Sequence, residues 1–385
     1  MTATAHIIAM ARTPIGRRAG SLAEFQAHEL GGIAIAGAVE RAGLDIKTVE
    51  FDDIIMGCTL AATGNTARVA ALQAGLRVEN AALTIDRQCG SGINAVALAA
   101  DAIRLGAHTT LAGGAESMTN EPYLLARSPK PYSPVPPQFL RRGLSTEQIG
   151  DPGMGITAEN LAERYHIARE AQDEFALRSQ ERYQLGREAF AADIVPVTTR
   201  GGEITADEHP RPESSLAGLA KLRPAFAANG TVTAGNASGI NDAAGALVLV
   251  SDAQLARLGA QSLATVGQWA VAGVDPNIMG IGPVPAIRRL LAKTQRTLDD
   301  YLVIEINEAF AVQVLACVAE LGIDAERVNA WGGAIAHGHP IAATGAILVQ
   351  KVVRQLQGRG GGRGLVAACI GGGQGIALEV EVATQ

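Results

Sequence analysis

Four residues in this chain are best placed for chemistry: Cys89 in DRQCGSGINAV, His337 and His339 in AHGHPIAATG, and Cys369 in ACIGGGQG. A thiol at the start of a helix faces the positive end of the helix dipole, which favours the nucleophilic thiolate. Gly90, Ser91 and Gly92 are small enough to let the chain turn there and a ligand approach. Read alone, the stretch fits a buried thiol in a tight turn equally well. A His-x-His pair can hold zinc, but a site needs a third ligand. His6, His28, His108, His166 and His209 lie in unrelated contexts and no Cys-x-x-Cys occurs, so no metal is expected. Pro340 favours the first position of a helix, which puts His339 at the N-cap. The positive helix end disfavours imidazolium and leaves a neutral base. His337 has no such placement and reads as a pocket wall or a supporting residue.

Asn307 and Glu308, in EINEAFAVQ, stand where a strand gives way to a helix. An Asn there can donate to a developing oxyanion or simply fill a helix cap, and both readings stay open. Cys369 ends a strand before three glycines whose N–H groups can converge on an anion. On its own it reads first as a core thiol and second as a reactive one. GSGINA also fits the pattern Gly-x-Gly-x-x-Ala. No acidic residue ends a following strand at the offset of about 20 residues that dinucleotide binding needs, so that reading is rejected.

These residues need a scaffold, and the sequence supplies alternating strand and helix patterns of an α/β fold. The chain also repeats itself. ELGGIAIAGAVERAGL then FDDIIMG, a helix and a strand, correspond to VPAIRRLLAKTQ then DDYLVIEIN. AALTID leads through Cys89 into the helix SGINAVALAADAIRLG, as RVNAW leads through His339 into PIAATGAILVQKVVRQL. Each half closes on a strand running into glycines, TLAGGAESM and GLVAACIGGGQGIALEV. Two such halves face to face bring equivalent loops together. Residues 119–239 break the pattern with a proline-rich loop, SPKPYSPVPPQFLRR, two helices over 156–190 and a polar stretch. They read as an insertion forming a lid.

The 385-residue chain is 48% hydrophobic and 18% charged, a globular composition with room for two or three domains. A net charge of −6 argues against a nucleic-acid coat, and no apolar run is long enough to span a membrane. The start lacks the pattern of a signal peptide. Cys58, Cys89, Cys317 and Cys369 are too irregularly spaced for a zinc ribbon or a disulfide scaffold. They read as thiols of a cytoplasmic protein, mostly buried, with one or two reactive.

Taken together, CGSG, NEAF, GGAIAHGHP and CIGGGQG, in this order and spacing, resemble the thiolase family. GGAESM, MGITAEN, KLRPAF and TAGNASGINDAAGALVLVS resemble its other signature segments, so the likeness covers essentially the whole chain. The resemblance implies two βαβαβαββ halves packed as a five-layer αβαβα sandwich with an inserted loop domain. The expected division is 1–118 plus about 240–261 for the first half, 119–239 for the lid and 262–385 for the second half. The resemblance makes Cys89 the acylated nucleophile, His339 its base and Cys369 the acid/base of the carbon–carbon step. Asn307 would hold a water that forms one oxyanion hole with His339, and the N–H groups of Cys89 and Gly371 would form the other. The implied reaction is reversible thiolysis of 3-ketoacyl-CoA, with CoA as co-substrate and no tightly bound cofactor. By the same likeness Arg211 would lie near the CoA phosphates. Phe226, Ala234 and Ser238 would line the adenine and pantetheine path, with Met154 and Ala309 nearer the thioester. A homodimer or homotetramer is expected. The chain departs from the family pattern at Gly153 (usually His in biosynthetic members), Trp331 (Asn), His337 (apolar), Ala342 (Gly) and Asp86 (Asn). A ketosynthase-like condensing enzyme of the same fold is the nearest alternative, but those enzymes lack the second cysteine. An inactive CoA-binding homologue is the other.

Overall fold

A computed structural model describes residues 3–128, 130–132 and 135–384. Positions 129, 133 and 134 of the proline-rich loop therefore lie outside the described residues. The first half is a mixed sheet of β1 (His6–Arg12), β2 (Asp53–Gly57), β3 (Ala82–Ile85), β4 (Thr109–Ser117) and β5 (Asn241–Val250), in the order β3-β2-β4-β5-β1. β2 runs parallel to β3 and β4, while β5 is antiparallel to β4 and β1. Side chains on a strand alternate between faces, and here both faces are apolar. On β2, Ile54 and Met56 join the core under α1 (Ala27–Arg41), while Ile55 joins the core around α2 (Ser91–Arg104).

The insertion contributes α3 (Met154–Tyr165) and α4 (Arg169–Ala191) and two short hairpins, 124–125 with 139–140 and 197–199 with 202–204. It is bolted to β1. Arg12 and Asp207 form an ion pair at 2.6 Å with both side chains almost fully buried. Tyr183 of α4 donates its hydroxyl to Asp207, and the Arg12 guanidinium lies 4.0 Å from the centre of the Phe190 ring.

In the second half β6 (Ala264–Gly273), β7 (Val303–Ile306), β8 (Gly362–Ile370) and β9 (Gln374–Val382) pair in the order β7-β8-β9-β6. The parallel β7–β8 and antiparallel β8–β9 and β9–β6 contacts repeat the pattern of the first half. α5 (Pro283–Thr294) and α6 (Ala311–Leu321) cover the outer face, and α7 (Ile341–Gln357) the inner one. The layers therefore run α1, first sheet, α2 with α7, second sheet, α5 with α6. The sheets also join edge to edge, where His6 and Ile7 pair with Thr265 and Ala264.

Two details differ from the sequence reading. RVNAW forms only a single bridge, Val328 to Ile304, instead of a strand. Asn329 turns into the left-handed region at φ 55°, and its side-chain amide takes over both the N–H and the C=O of Ile306. The glycine run after Cys369 does not end the sheet; Gly372 and Gly373, at φ 88° and 86°, make the hairpin between β8 and β9.

α2 and α7 form the middle layer and touch backbone to backbone. A Cβ on Gly92 would lie 2.5 Å from the amide nitrogen of Ala346, and one on Gly345 2.2 Å from that of Ile93. α7 is buried on nearly every face, including Lys351, whose ammonium pairs with Glu305 at 2.8 Å. A buried charge needs such a partner.

Candidate active site

Cys89 sits in a single tight turn, Gln88–Gly90, that runs directly into α2. Gln88 takes the left-handed conformation at φ 44°, and its amide donates to the Asp86 carboxylate at 2.9 Å. The residue as a whole is half-buried. Protein crowded around it, with Glu116 and Asp86 nearby, pushes the thiol up to about 11 despite opposing N–H contacts from Gly371 and from Cys89 itself. The helix start does not win over burial, so the resting group is a thiol and needs a base.

That base is in place. His339 Nε2 lies 3.2 Å from Cys89 Sγ, although 250 residues separate them. Nδ1 lies 2.7 Å from the Thr344 hydroxyl one turn into α7, and the His339 N–H donates to Asn241 Oδ1 at 2.8 Å. With the proton assigned to Nδ1 and donated to Thr344, the Nε2 lone pair faces the thiol. Burial lowers the imidazole to about 4, which keeps it neutral. The helix cap is Pro340, one residue later than the sequence placed it, and desolvation is what depresses the histidine.

Asn307 follows β7, its Nδ2 3.4 Å from His339 Nε2 and its buried Oδ1 without a hydrogen-bond partner. Cys369 is the penultimate residue of β8 and is fully buried. Burial first, then the neighbouring Cys89, raises its thiol well above the ordinary value. The backbone N–H groups of Cys89 and Gly371 both favour negative charge on the Cys89 sulfur. The structure thus brings Cys89, His339, Asn307 and Gly371 together, with Cys369 next to them.

The residues assigned to CoA divide into a cluster and an outlier. Met154 opens α3 with its sulfur 3.5 Å from where a Cβ on Gly371 would lie. Ser238 donates its N–H to Ala309 O at 3.0 Å. The half-exposed Phe226 packs edge-on against Phe310, with ring centres 6.1 Å apart, and Ala234 is exposed nearby in chain. Arg211 is held separately, its N–H donating to Gln180 on α4.

His337 faces away from this site. Its ring lies 5.2 Å from that of Phe190 on α4, and burial together with Lys351 drives its pKa well down. Trp331 sits on the same side, against Gly186 of α4, where a Cβ would come within 2.2 Å of the indole. These two departures from the family pattern therefore seat the lid helix. Gly153 is the cap of α3, with open space around its Cα. Among the described residues no group of three His, Cys, Asp or Glu side chains gathers as a metal would require.

The sequence did not reveal Glu116, Asn241 or Thr344. Glu116 is the penultimate residue of β4 and is buried among donors from four residues: Thr59 through N–H and hydroxyl, the Leu60 N–H, the Cys58 thiol and the Ala342 N–H. It ties the ends of two first-half elements to the start of α7, just beyond His339. Its only sequence signal was an acid inside an otherwise apolar strand, TLAGGAES.

The chain matches the family models described as "Thiolase, N-terminal domain" over residues 5–253 and "Thiolase, C-terminal domain" over residues 260–382. It is 45% identical to the beta-ketoadipyl-CoA thiolase of Acinetobacter baylyi, covering 98% of this chain and 99% of that protein. It is 44% identical to the acetyl-CoA acetyltransferase of Cupriavidus necator, covering 97% and 98%. Among solved structures, human mitochondrial 3-ketoacyl-CoA thiolase superposes with a TM-score of 0.92 at 37% identity, covering 99% of both chains. A crystal structure of that human protein in complex with CoA matches equally well.

Proposed function

Because the chain belongs to the thiolase family, it is an acyltransferase catalysing CoA-dependent thiolysis of 3-ketoacyl-CoA or the reverse Claisen condensation, and we propose that Cys89, His339, Cys369 and Asn307 carry that chemistry. The observation that carries the assignment is the 3.2 Å contact between a proton-retaining thiol and a neutral imidazole.

Cys89 gives its proton to His339 Nε2 and attacks the C3 ketone of the substrate. The N–H groups of Cys89 and Gly371 receive the alkoxide. The C2–C3 bond then breaks, leaving the acyl group on Cys89 and the electron pair on the enolate of acetyl-CoA. His339 and Asn307, whose unpartnered Oδ1 suits a bound water, stabilise the enolate oxygen. Cys369 protonates C2. In the second half-reaction the thiolate of Cys369 takes the proton of incoming CoA. The CoA sulfur attacks the Cys89 thioester, and the released Cys89 thiolate recovers its proton from His339. Each oxyanion donor contributes about 3–4 kcal/mol to such a step.

Met154, Ala309, Ser238 and Phe226 form the approach for pantetheine in this reading, with Ala234 and Arg211 further out. CoA is a co-substrate, with no tightly held cofactor. No helix among the described residues is long and apolar enough to cross a membrane. We read the protein as working in the cytoplasm as a homodimer or homotetramer. Its edge strand β3 leaves one side unpaired among the described residues and exposes Leu83, which suits pairing with a second copy.

Thiolysis rates over straight-chain 3-ketoacyl-CoA esters of four to sixteen carbons test the assignment, together with mass spectrometry of the protein after exposure to acyl-CoA. Cleavage within the series and an acyl adduct on the Cys89 peptide are expected. No cleavage anywhere in the series overturns the reading.

A further inference from the structure

The segment 140–151 roofs the site. A Cβ on Gly371 would lie 2.9 Å from Leu144 Cδ1, and one on Gly372 2.5 Å from Leu144 O. Asp151 fastens the roof to itself by accepting the Leu144 N–H and pairing with Arg141. Asn277, in the second half, donates to Ile149 O at 2.9 Å.

The roof carries one unspent cation. Arg142 reaches into the first half and donates from Nη1 to Thr59 O at 3.1 Å. Its Nε is buried without a partner, and among the described residues its guanidinium forms no ion pair. Three other partly or fully buried arginines of this chain meet a carboxylate, Arg12 with Asp207, Arg169 with Asp173 and Arg354 with Asp193, whereas the partly buried Arg68 spends its guanidinium on the backbone oxygens of Val78 and Asn80. Guanidinium offers five donors in a planar fork that matches a carboxylate, and one of them is used here. Two residues of chain span at most about 7 Å, so Arg142 is anchored close to Leu144 and the oxyanion glycines. It approaches from the Thr59 side, whereas Met154, Ala309, Ser238 and Phe226 gather on the lid and second-half side. Reach from the Thr59 side favours the acyl end of the substrate over the CoA phosphates as the anion that meets Arg142.

We propose that Arg142 is a specificity residue that receives a carboxylate at the far end of the acyl chain, so that the favoured substrates are 3-oxo-dicarboxyl-CoA esters. The proposal rests on the thiolase reading of the site. For a six-carbon chain the carboxylate lies three bonds beyond the ketone that Cys89 attacks. The C2–C3 bond breaks to give acetyl-CoA and a succinyl thioester on Cys89, which CoA then removes as succinyl-CoA. The same guanidinium serves both half-reactions, because the carboxylate stays on the enzyme-bound fragment.

The test compares steady-state thiolysis of beta-ketoadipyl-CoA with that of the uncharged 3-oxohexanoyl-CoA of equal length. Wild type, Arg142→Met and Arg142→Lys are each measured with both substrates. The wild type is expected to prefer the diacid. Arg142→Met lowers kcat/KM for the diacid by about 30–100-fold, the loss of a charge-assisted pair, and for the neutral ester by no more than about threefold. Arg142→Lys recovers part of the diacid rate. Equal losses on both substrates, a wild type without preference, or a rise in KM for CoA with either ester overturns the proposal. The last result would assign the guanidinium to a CoA phosphate. A wild type that cleaves neither ester, nor any other 3-ketoacyl-CoA, removes the thiolase reading itself.

Discussion

The two halves of the molecule use the same three positions, two at strand ends and one before a helix, for different work. After β2 comes Cys58, and after β7 comes Asn307. The penultimate residue of β4 is Glu116, and that of β8 is Cys369. The loop before α2 holds Cys89, and the loop before α7 holds His339. In the first half Cys58 donates to Glu116, and the pair is locked into a hydrogen-bonded knot. Burial and Glu116 lift the Cys58 thiol to about 12, so it stays an inert proton donor. In the second half Asn307 keeps a free acceptor, and Cys369 carries a proton close to Cys89. Symmetric backbones thus hold an anchored pair, Cys58 with Glu116, and a reactive pair, Asn307 with Cys369. The distinction lies in how many partners each side chain has.

The sharpest way to break this comparison is to remove each active-site thiol in turn. Cys89→Ala should cost thiolysis on the order of 10⁴-fold or more and abolish the acyl adduct. Cys369→Ala should cost about 10²–10⁴-fold in thiolysis while mass spectrometry still finds Cys89 acylated by acyl-CoA. Loss of acylation in both variants would mean that the two thiols do not divide the labour.

Next in size is the Asn307 contribution. Asn307→Ala should lower kcat by about 10²–10³-fold, with KM for CoA little changed. The pH response sharpens the same point. Burial disfavours both charged forms, so His339 stays neutral until pH falls towards 4 and Cys89 keeps its proton until pH rises towards 11. Alkylation of Cys89 by iodoacetamide should therefore keep rising to about pH 11 instead of levelling below 9. Levelling near neutral pH would show a preformed thiolate–imidazolium pair.

The smallest effect belongs to the anchored pair. Glu116→Gln leaves some of the Thr59, Leu60 and Ala342 donors poorly matched, at about 1–3 kcal/mol of stability in denaturant unfolding. It also removes a negative charge that raises the Cys89 pKa, so the alkylation midpoint should move down. An unchanged midpoint would confine Glu116 to holding the fold.

Much of this was legible from the chain because the signals are local. Alternating apolar residues in FDDIIMG, helical spacing in α2 and α7, and glycines beside the cysteines each report on neighbours within a few residues. The repeat followed from comparing such stretches, and the thiolase resemblance from their order. Partnerships made by folding were not legible. Asn241 and Thr344 orient His339 from a different sheet and from the next helical turn. His337 looked like a companion of His339 because one glycine separates them. Gly338, at φ 102°, turns the chain between them and sends the two rings to different sides. The causes of the pKa shifts were misjudged for the same reason. Helix ends can be seen in a sequence, whereas the desolvation that governs Cys89 and His339 comes from every layer around them.

The glycine seam between α2 and α7 has one more consequence. With Gly92 and Gly345 pressed together, the gap between donor and acceptor is set by main chain alone, like the fixed jaw of a calliper. Substitutions in the roof or lid can then retune which acyl group is accepted without disturbing the proton transfer. A single added methyl at the seam would prise open the one gap that every substrate depends on.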